Sequence, residues 1–158
     1  MFLSLNNILN VLRNNSVIGI IALGMTLIII TGGIDLSVGS QLAFAGVVII
    51  TVFNQTQSII ITVLAGAATA LILGLITGIL VARFNIPAFI TTLGSMSIYR
   101  SVAQYWLNGG GLMAKGHRSS VYIAISNTNL FRIIPMPIII WLVAAAVIYI
   151  ISQHTAVG

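Results

Sequence analysis

Very few side chains in this 158-residue chain could carry chemistry. Asp35 is its single carboxylate, there are two histidines, His117 and His154, and there is no cysteine. General acid–base catalysis needs two poised titratable groups, and nucleophilic catalysis needs a nucleophile, a base and a group that orients it. One acid and two distant histidines supply neither, so no catalytic residue is assigned and the chain reads as a non-enzyme. Without thiolates, and with isolated histidines, neither a metal site nor a cofactor is expected. No GxxxxGK[ST] cradle for nucleotide phosphates occurs either. The one acid stands in TGGIDLSVGS, Thr31 to Ser40, among Gly32, Gly33 and Gly39. What holds a lone carboxylate there depends on the elements around it.

Those elements are apolar. The chain is 59% hydrophobic and 4% charged, with a mean hydropathy of +1.17. A soluble domain carries about 25% charged residues and a disordered chain is polar, so an integral membrane protein remains. The net charge of +5 rests on Arg13, Arg83, Arg100, Lys115, Arg118 and Arg132. They are scattered, which excludes the concentrated basic face of a nucleic-acid binder. They read instead as residues that set topology at membrane borders. The apolar segmentation predicts an all-α integral membrane protein, a multi-span helical bundle of about five membrane helices. These are expected near 8–31, 35–54, 59–83, 87–107 and 136–153, with a polar stretch at 108–134. Ile59 to Ala82 is the clearest span, uncharged and long enough to cross a core of about 30 Å.

Adjacent glycines after the β-branched run Ile28 to Thr31 weaken the helix and permit positive φ. Asp35 then stands where an N-cap belongs, its carboxylate facing the N–H groups and positive dipole end of the next helix, with Ser37 assisting. The expected pattern is helix, break, helix, the motif being Gly32, Gly33, Asp35, Ser37 and Gly39. Backbone freed at membrane depth survives only where protein or a water-filled cavity covers it. Asp35 therefore reads either as a cap or as part of a helix break lining a solute path.

Two further patterns stand out. Ser97, Arg100, Ser101, Gln104 and Asn108 recur at helical spacing as one polar stripe. This suits either a wet vestibule, making them possible translocation-path residues, or hydrogen-bonding groups beside a snorkelling Arg100. Tyr99, Tyr105 and Trp106 read as interfacial aromatics, with sugar stacking as the alternative. Gly66, Ala70, Gly74 and Gly78, four residues apart, form a small-residue stripe for close helix packing, within the chain or between subunits.

The run ALGMTLIIITGGIDLSVGSQLAFAG, Ala22 to Gly46, closely resembles the permeases of ribose-type ABC monosaccharide importers. ARFNIPAFITTLGSMSIYRS, Ala82 to Ser101, looks like the next block of the same family, followed by WLNGG, Trp106 to Gly110. The resemblance covers nearly the whole chain. It implies a multi-pass subunit of the bacterial inner (plasma) membrane that translocates a ribose-like sugar by alternating access. Implied partners are a second permease subunit, identical or different, cytoplasmic ATPase subunits that hydrolyse ATP, and a periplasmic sugar-binding protein. Other small solutes, such as a branched-chain amino acid, a nucleoside or a signalling sugar derivative, suit the same architecture; a truncated, non-transporting membrane protein is a further alternative. Against the family, 1–158 reads as a partial transmembrane permease domain, a fragment lacking the first helix before Phe2 and everything after Gly158. The motif HTAVG, His154 to Gly158, would lead into the ATPase-docking loop. The resemblance places 54–58 and 108–134 outside and 83–86 inside, whereas counting basic residues reverses this; the resemblance is followed here.

Overall fold

The computed structural model describes residues 4–127, 129–130 and 134–154. Arg132 and residues 155–158 of the HTAVG motif lie outside them, and the side chain of His154 is likewise not described. The helices are α1 (Leu5–Ile30), α2 (Val38–Thr56), α3 (Ile59–Ala82), α4 (Ala88–Trp106), α5 (Ser119–Asn127) and α6 (Met136–His154). Two short strands, β1 (Asn129–Leu130) and β2 (Ile134–Pro135), pair antiparallel, with Asn129 opposite Pro135. The fold is an all-α multi-span membrane fold. By length and composition α1, α2, α3 and α6 can each cross a membrane. Of the five segments expected to be embedded, α4 is the one outside this set. It has 19 residues, but Thr91, Thr92, Ser95, Ser97, Arg100, Ser101 and Gln104 make it too polar.

The chain divides into two compact units, residues 1–32 with 123–158, and residues 33–122. In the first, α1 packs on α6. The indole of Trp141 occupies the space a Cβ on Gly19 would need, so glycine there lets the two helices approach closely. Asn14, Asn15 and Ser16, which as turn formers would mark a helix start, instead lie inside α1. Asn15 Nδ2 donates to the Val11 carbonyl at 2.8 Å and Ser16 Oγ to the Arg13 carbonyl at 2.7 Å. With those donors satisfied one turn back, Asn15 and Ser16 cost the helix little.

In the second unit α2 packs on both α3 and α4. Short connections suffice because each turn stops a helix by its own chemistry. Ser58 accepts from the Ile61 N–H at 3.5 Å to start α3, and Pro87 is the N-cap of α4. The buried set is unusual for its hydroxyls: Ser37, Ser40, Thr62, Thr77, Thr91, Thr92 and Ser95 join Ala45, Val47, Phe53, Leu73, Tyr99 and Ala103. Large aliphatics such as Ile60, Leu64, Leu71 and Ile72 point outward. That inversion fits lipid, where apolar burial gives little drive and small polar side chains hold helices together.

Candidate translocation segment: the helix break and the faces of α4

The break between α1 and α2 is made by Gly32, at φ +78°, a conformation costly for side-chain-bearing residues. The Gly32 N–H returns to the Ile29 carbonyl at 2.9 Å and Thr31 Oγ1 donates to the Ile28 carbonyl at 2.7 Å, closing α1. Asp35 Oδ1 then accepts from the Ser37 N–H at 2.7 Å and from the Ser37 hydroxyl at 2.6 Å. Ser37 is fully buried, and its hydroxyl accepts in turn from Gln41 Nε2 at 2.7 Å. Its carbonyl receives the Ser40 hydroxyl at 2.7 Å and the Gln41 N–H at 2.9 Å.

The carboxylate thus accepts a backbone N–H two residues on, as expected, but the position of the cap is corrected. The N-cap of α2 is Ser37, in a right-handed conformation and without a side-chain cap bond; Asp35 lies two residues earlier. The physical reason is the Asx turn. Once the carboxylate has captured both donors of Ser37, the chain is not helical until Val38, so α2 starts there and not at residue 35. Gly33 is half-buried in the break, and Gly39 is exposed on the first turn of α2 with open space beside it.

Across the seam, Thr92 Oγ1 lies 3.2 Å from the Ile34 carbonyl and 3.3 Å from that of Phe89. A carbonyl freed by the break is thereby met by a hydroxyl of α4. Thr91, Thr92, Ser95, Tyr99 and Ala103 form the buried face of α4, and the Thr91 hydroxyl is buried with no hydrogen-bond partner among the described residues. This hydroxyl face was missed from the sequence. Its signal was present in Thr91, Ser95, Tyr99 and Ala103 at four-residue spacing, eclipsed by the more polar stripe on the opposite face. Tyr99 is consequently not an interfacial aromatic: it is 6% exposed and its hydroxyl bonds to α3.

The polar stripe occupies the opposite, open side. Ser97, Arg100, Ser101 and Gln104 are all exposed on α4, and Ser97 Oγ donates to the Leu93 carbonyl at 3.2 Å. Asn108 has left the helix, at φ 48°. With Gln104, Tyr105, Leu107, Gly109 and Gly110 it lines an open depression of about 720 Å³. The small-residue stripe divides. Gly66 is buried, and a Cβ there would come within 2.7 Å of the Ile49 side chain of α2. Gly74 and Gly78 have nothing within 4 Å of such a Cβ; with Ala70, Leu71, Leu75, Ile79, Ala82 and Arg83 they line an open groove.

One assembly had no sequence signal. Asn54 Nδ2 donates to the Met113 carbonyl at 3.0 Å and Asn54 Oδ1 accepts from the Lys115 N–H at 2.7 Å. Gln57 Nε2 donates to the Lys115 carbonyl at 2.8 Å and Gln57 Oε1 accepts from the Arg118 N–H at 3.3 Å. The end of α2 thus clamps the segment 113–118, and Phe53 stacks at 4.6 Å on Tyr122 of α5. Such pairing joins residues about sixty apart and leaves no periodic trace. It also places α5 inside the stretch 108–134, which the sequence marked only as polar. Among the described residues no three His, Cys, Asp or Glu side chains come together as a metal would require.

The structure therefore defines a multi-span membrane protein with a polar, hydrogen-bonded break between two helices. The family described as "Branched-chain amino acid transport system / permease component" matches residues 7–158, and the chain belongs to it. It is similar to the ribose import permease protein RbsC of Haemophilus influenzae, with 35% identity over 157 residues, 99% of this chain and 49% of that protein. Similarity to the ribose import permease protein RbsC of Escherichia coli strain K12 is 42% over 108 residues, 68% of this chain and 34% of that one. With the L-arabinose ABC transporter permease protein AraH of Azospirillum brasilense it is 36% over 117 residues, 74% and 34%. The chain spans about half the length, or less, of these curated relatives. No solved structure matches it.

Proposed function

We propose that this chain forms part of the membrane-spanning subunit of an ATP-binding-cassette importer in a bacterial inner membrane, and that the solute is a monosaccharide. The observation that carries the reading is the break at Gly32 to Ser37, whose backbone is met by Asp35 and Thr92 rather than by helix. Broken helices with satisfied backbone are how membrane carriers bring main-chain groups to a solute. The sugar assignment is supported by relatives named for ribose and L-arabinose.

On this reading the chain supplies the path and other subunits supply the energy. Ser97, Arg100, Ser101, Gln104 and Asn108 line the route, offering donors and acceptors to sugar hydroxyls as they shed water. Two permease subunits enclose it, ATPase subunits drive alternating access, and a periplasmic binding protein delivers the solute. A second reading, a branched-chain amino acid as solute, is favoured by the family's description. The test is to reconstitute the full-length protein with its ATPase and binding-protein partners. Binding protein loaded with ribose or arabinose should stimulate ATP hydrolysis; stimulation by leucine-loaded protein alone would favour the second reading.

A further inference from the structure

The segment 107–113 joins α4 to the clamp, and its level along α2 is fixed at both ends. At one end, Trp106 meets Phe44 edge-on with ring centroids 6.5 Å apart, and Phe44 lies in the second turn of α2. At the other, Met113 bonds to Asn54 in the last turn of α2. Ten residues of helix separate Phe44 from Asn54, about 15 Å at 1.5 Å each. The segment therefore runs beside roughly half the length of α2, a helix long and apolar enough to cross a membrane, without being helical itself.

Its residues are not covered within their unit. Asn108, Gly109, Gly110, Gly111, Leu112 and Met113 are all exposed, and Gly111 has open space where a Cβ would stand. The N–H groups of Asn108, Gly109 and Gly110 return to the carbonyls of Tyr105, Gln104 and Leu107, and the Met113 carbonyl accepts from Asn54. The backbone of Gly111 and Leu112 has no such partner among the described residues, and non-helical backbone left so occurs at membrane depth only against protein or water. The open depression at Gln104 to Gly110 adjoins it, and Gly109 adopts φ +73°. We propose that the segment 108–113, the start of the stretch that the family resemblance places outside, instead dips into the membrane and lines a water-filled vestibule there, open to that outer side and entered by small polar solutes the size of a monosaccharide. This deepens the transport reading and rests on it only for the identity of the solute.

The absence of cysteine from this chain allows a direct test. Single substitutions Gly111→Cys and Leu112→Cys are introduced into the full-length protein, with Leu64→Cys as a control on the exposed apolar face of α3, and all are reconstituted in lipid nanodiscs. Leu64 is 64% exposed and lies at comparable depth, five residues into α3. The thiols are challenged with a small charged methanethiosulfonate and, separately, with a polymer-linked maleimide too bulky for a vestibule; unsubstituted protein is the blank. Only the thiolate reacts, and it forms in water, so the small reagent should label positions 111 and 112 roughly tenfold or more faster than position 64. The polymer should label none of the three. Small-reagent rates no faster than at Leu64→Cys would overturn the proposal, as would equal labelling by the polymer, which would make the segment an open surface loop. Two positions guard against one variant misfolding. The readout uses neither ATP nor sugar, so its failure is separable from failure of the transport reading.

Discussion

The Tyr99 hydroxyl lies 3.1 Å from the Thr77 hydroxyl, deep between α4 and α3, and each of the two is also 3.1 Å from the Leu73 carbonyl oxygen. All of these polar atoms are buried. The knot ties two helices whose shared surface is otherwise small, where a hydrogen bond contributes more to specificity than apolar contact does in lipid. Tyr99→Phe keeps the ring and removes the hydroxyl's contacts to both Thr77 and Leu73, so it should cost about 1–3 kcal/mol. Unfolding in mixed micelles, with Thr77→Val and the double variant, gives the coupling between the pair. A coupling energy of zero would mean the two hydroxyls act independently.

The divided glycine stripe gives a contrast within one helix. Gly66→Val must displace Ile49 and should destabilise the unit by about 1–3 kcal/mol. Gly74→Val and Gly78→Val meet open space and should leave its intrinsic stability nearly unchanged. The same unfolding measurement compares them. Equal losses at Gly66 and Gly74 would require α3 to pack on something at both positions.

Asp35 and Ser37 make a second pairwise test. Asp35→Asn keeps an acceptor oxygen for the Ser37 N–H and hydroxyl and removes the charge, so membrane abundance of the full-length protein should be near wild type. Asp35→Ala leaves two donors unmet at a partly buried break, at a cost of about 1–3 kcal/mol. Quantitative immunoblotting of membranes is sufficient. Asparagine lowering abundance as much as alanine would show that the charge, and not the turn, holds the break.

At the clamp, any side chain added at Gly116, which sits at φ +101°, meets the Gln57 amide. Gly116→Ala should therefore release the segment 113–118 from α2. Limited proteolysis in nanodiscs should show cleavage after Lys115 or Arg118 appearing earlier than in wild type. Gln57→Ala should produce the same acceleration. Unchanged cleavage in both would leave the clamp without mechanical consequence.

Hydropathy alone made the apolar helices α1, α2, α3 and α6 legible, because about twenty apolar residues in a row have few other uses. The Gly32–Gly33 break was legible for a similar reason: positive φ at a β-branched border has a strong residue preference. What the sequence obscured was direction. Thr91, Ser95 and Tyr99 are as polar as Ser97 and Ser101, and only packing decides that the first set turns inward and the second outward. The start of α2 slipped from residue 35 to Val38 because an Asx turn and an N-cap use the same residue types. The Asn54 and Gln57 clamp depends on contacts about sixty residues apart, which no local periodicity encodes.

The most direct measurement of the central claim is ATP-dependent uptake. The full-length protein, assembled with the ATPase and binding-protein subunits that the proposed function requires, in right-side-out vesicles of a strain without its own pentose importers, should accumulate labelled ribose or arabinose. Thr92→Val, which removes the hydroxyl at the Ile34 carbonyl of the break, should lower that uptake severalfold at equal membrane abundance. Accumulation of leucine with neither pentose taken up would contradict the account.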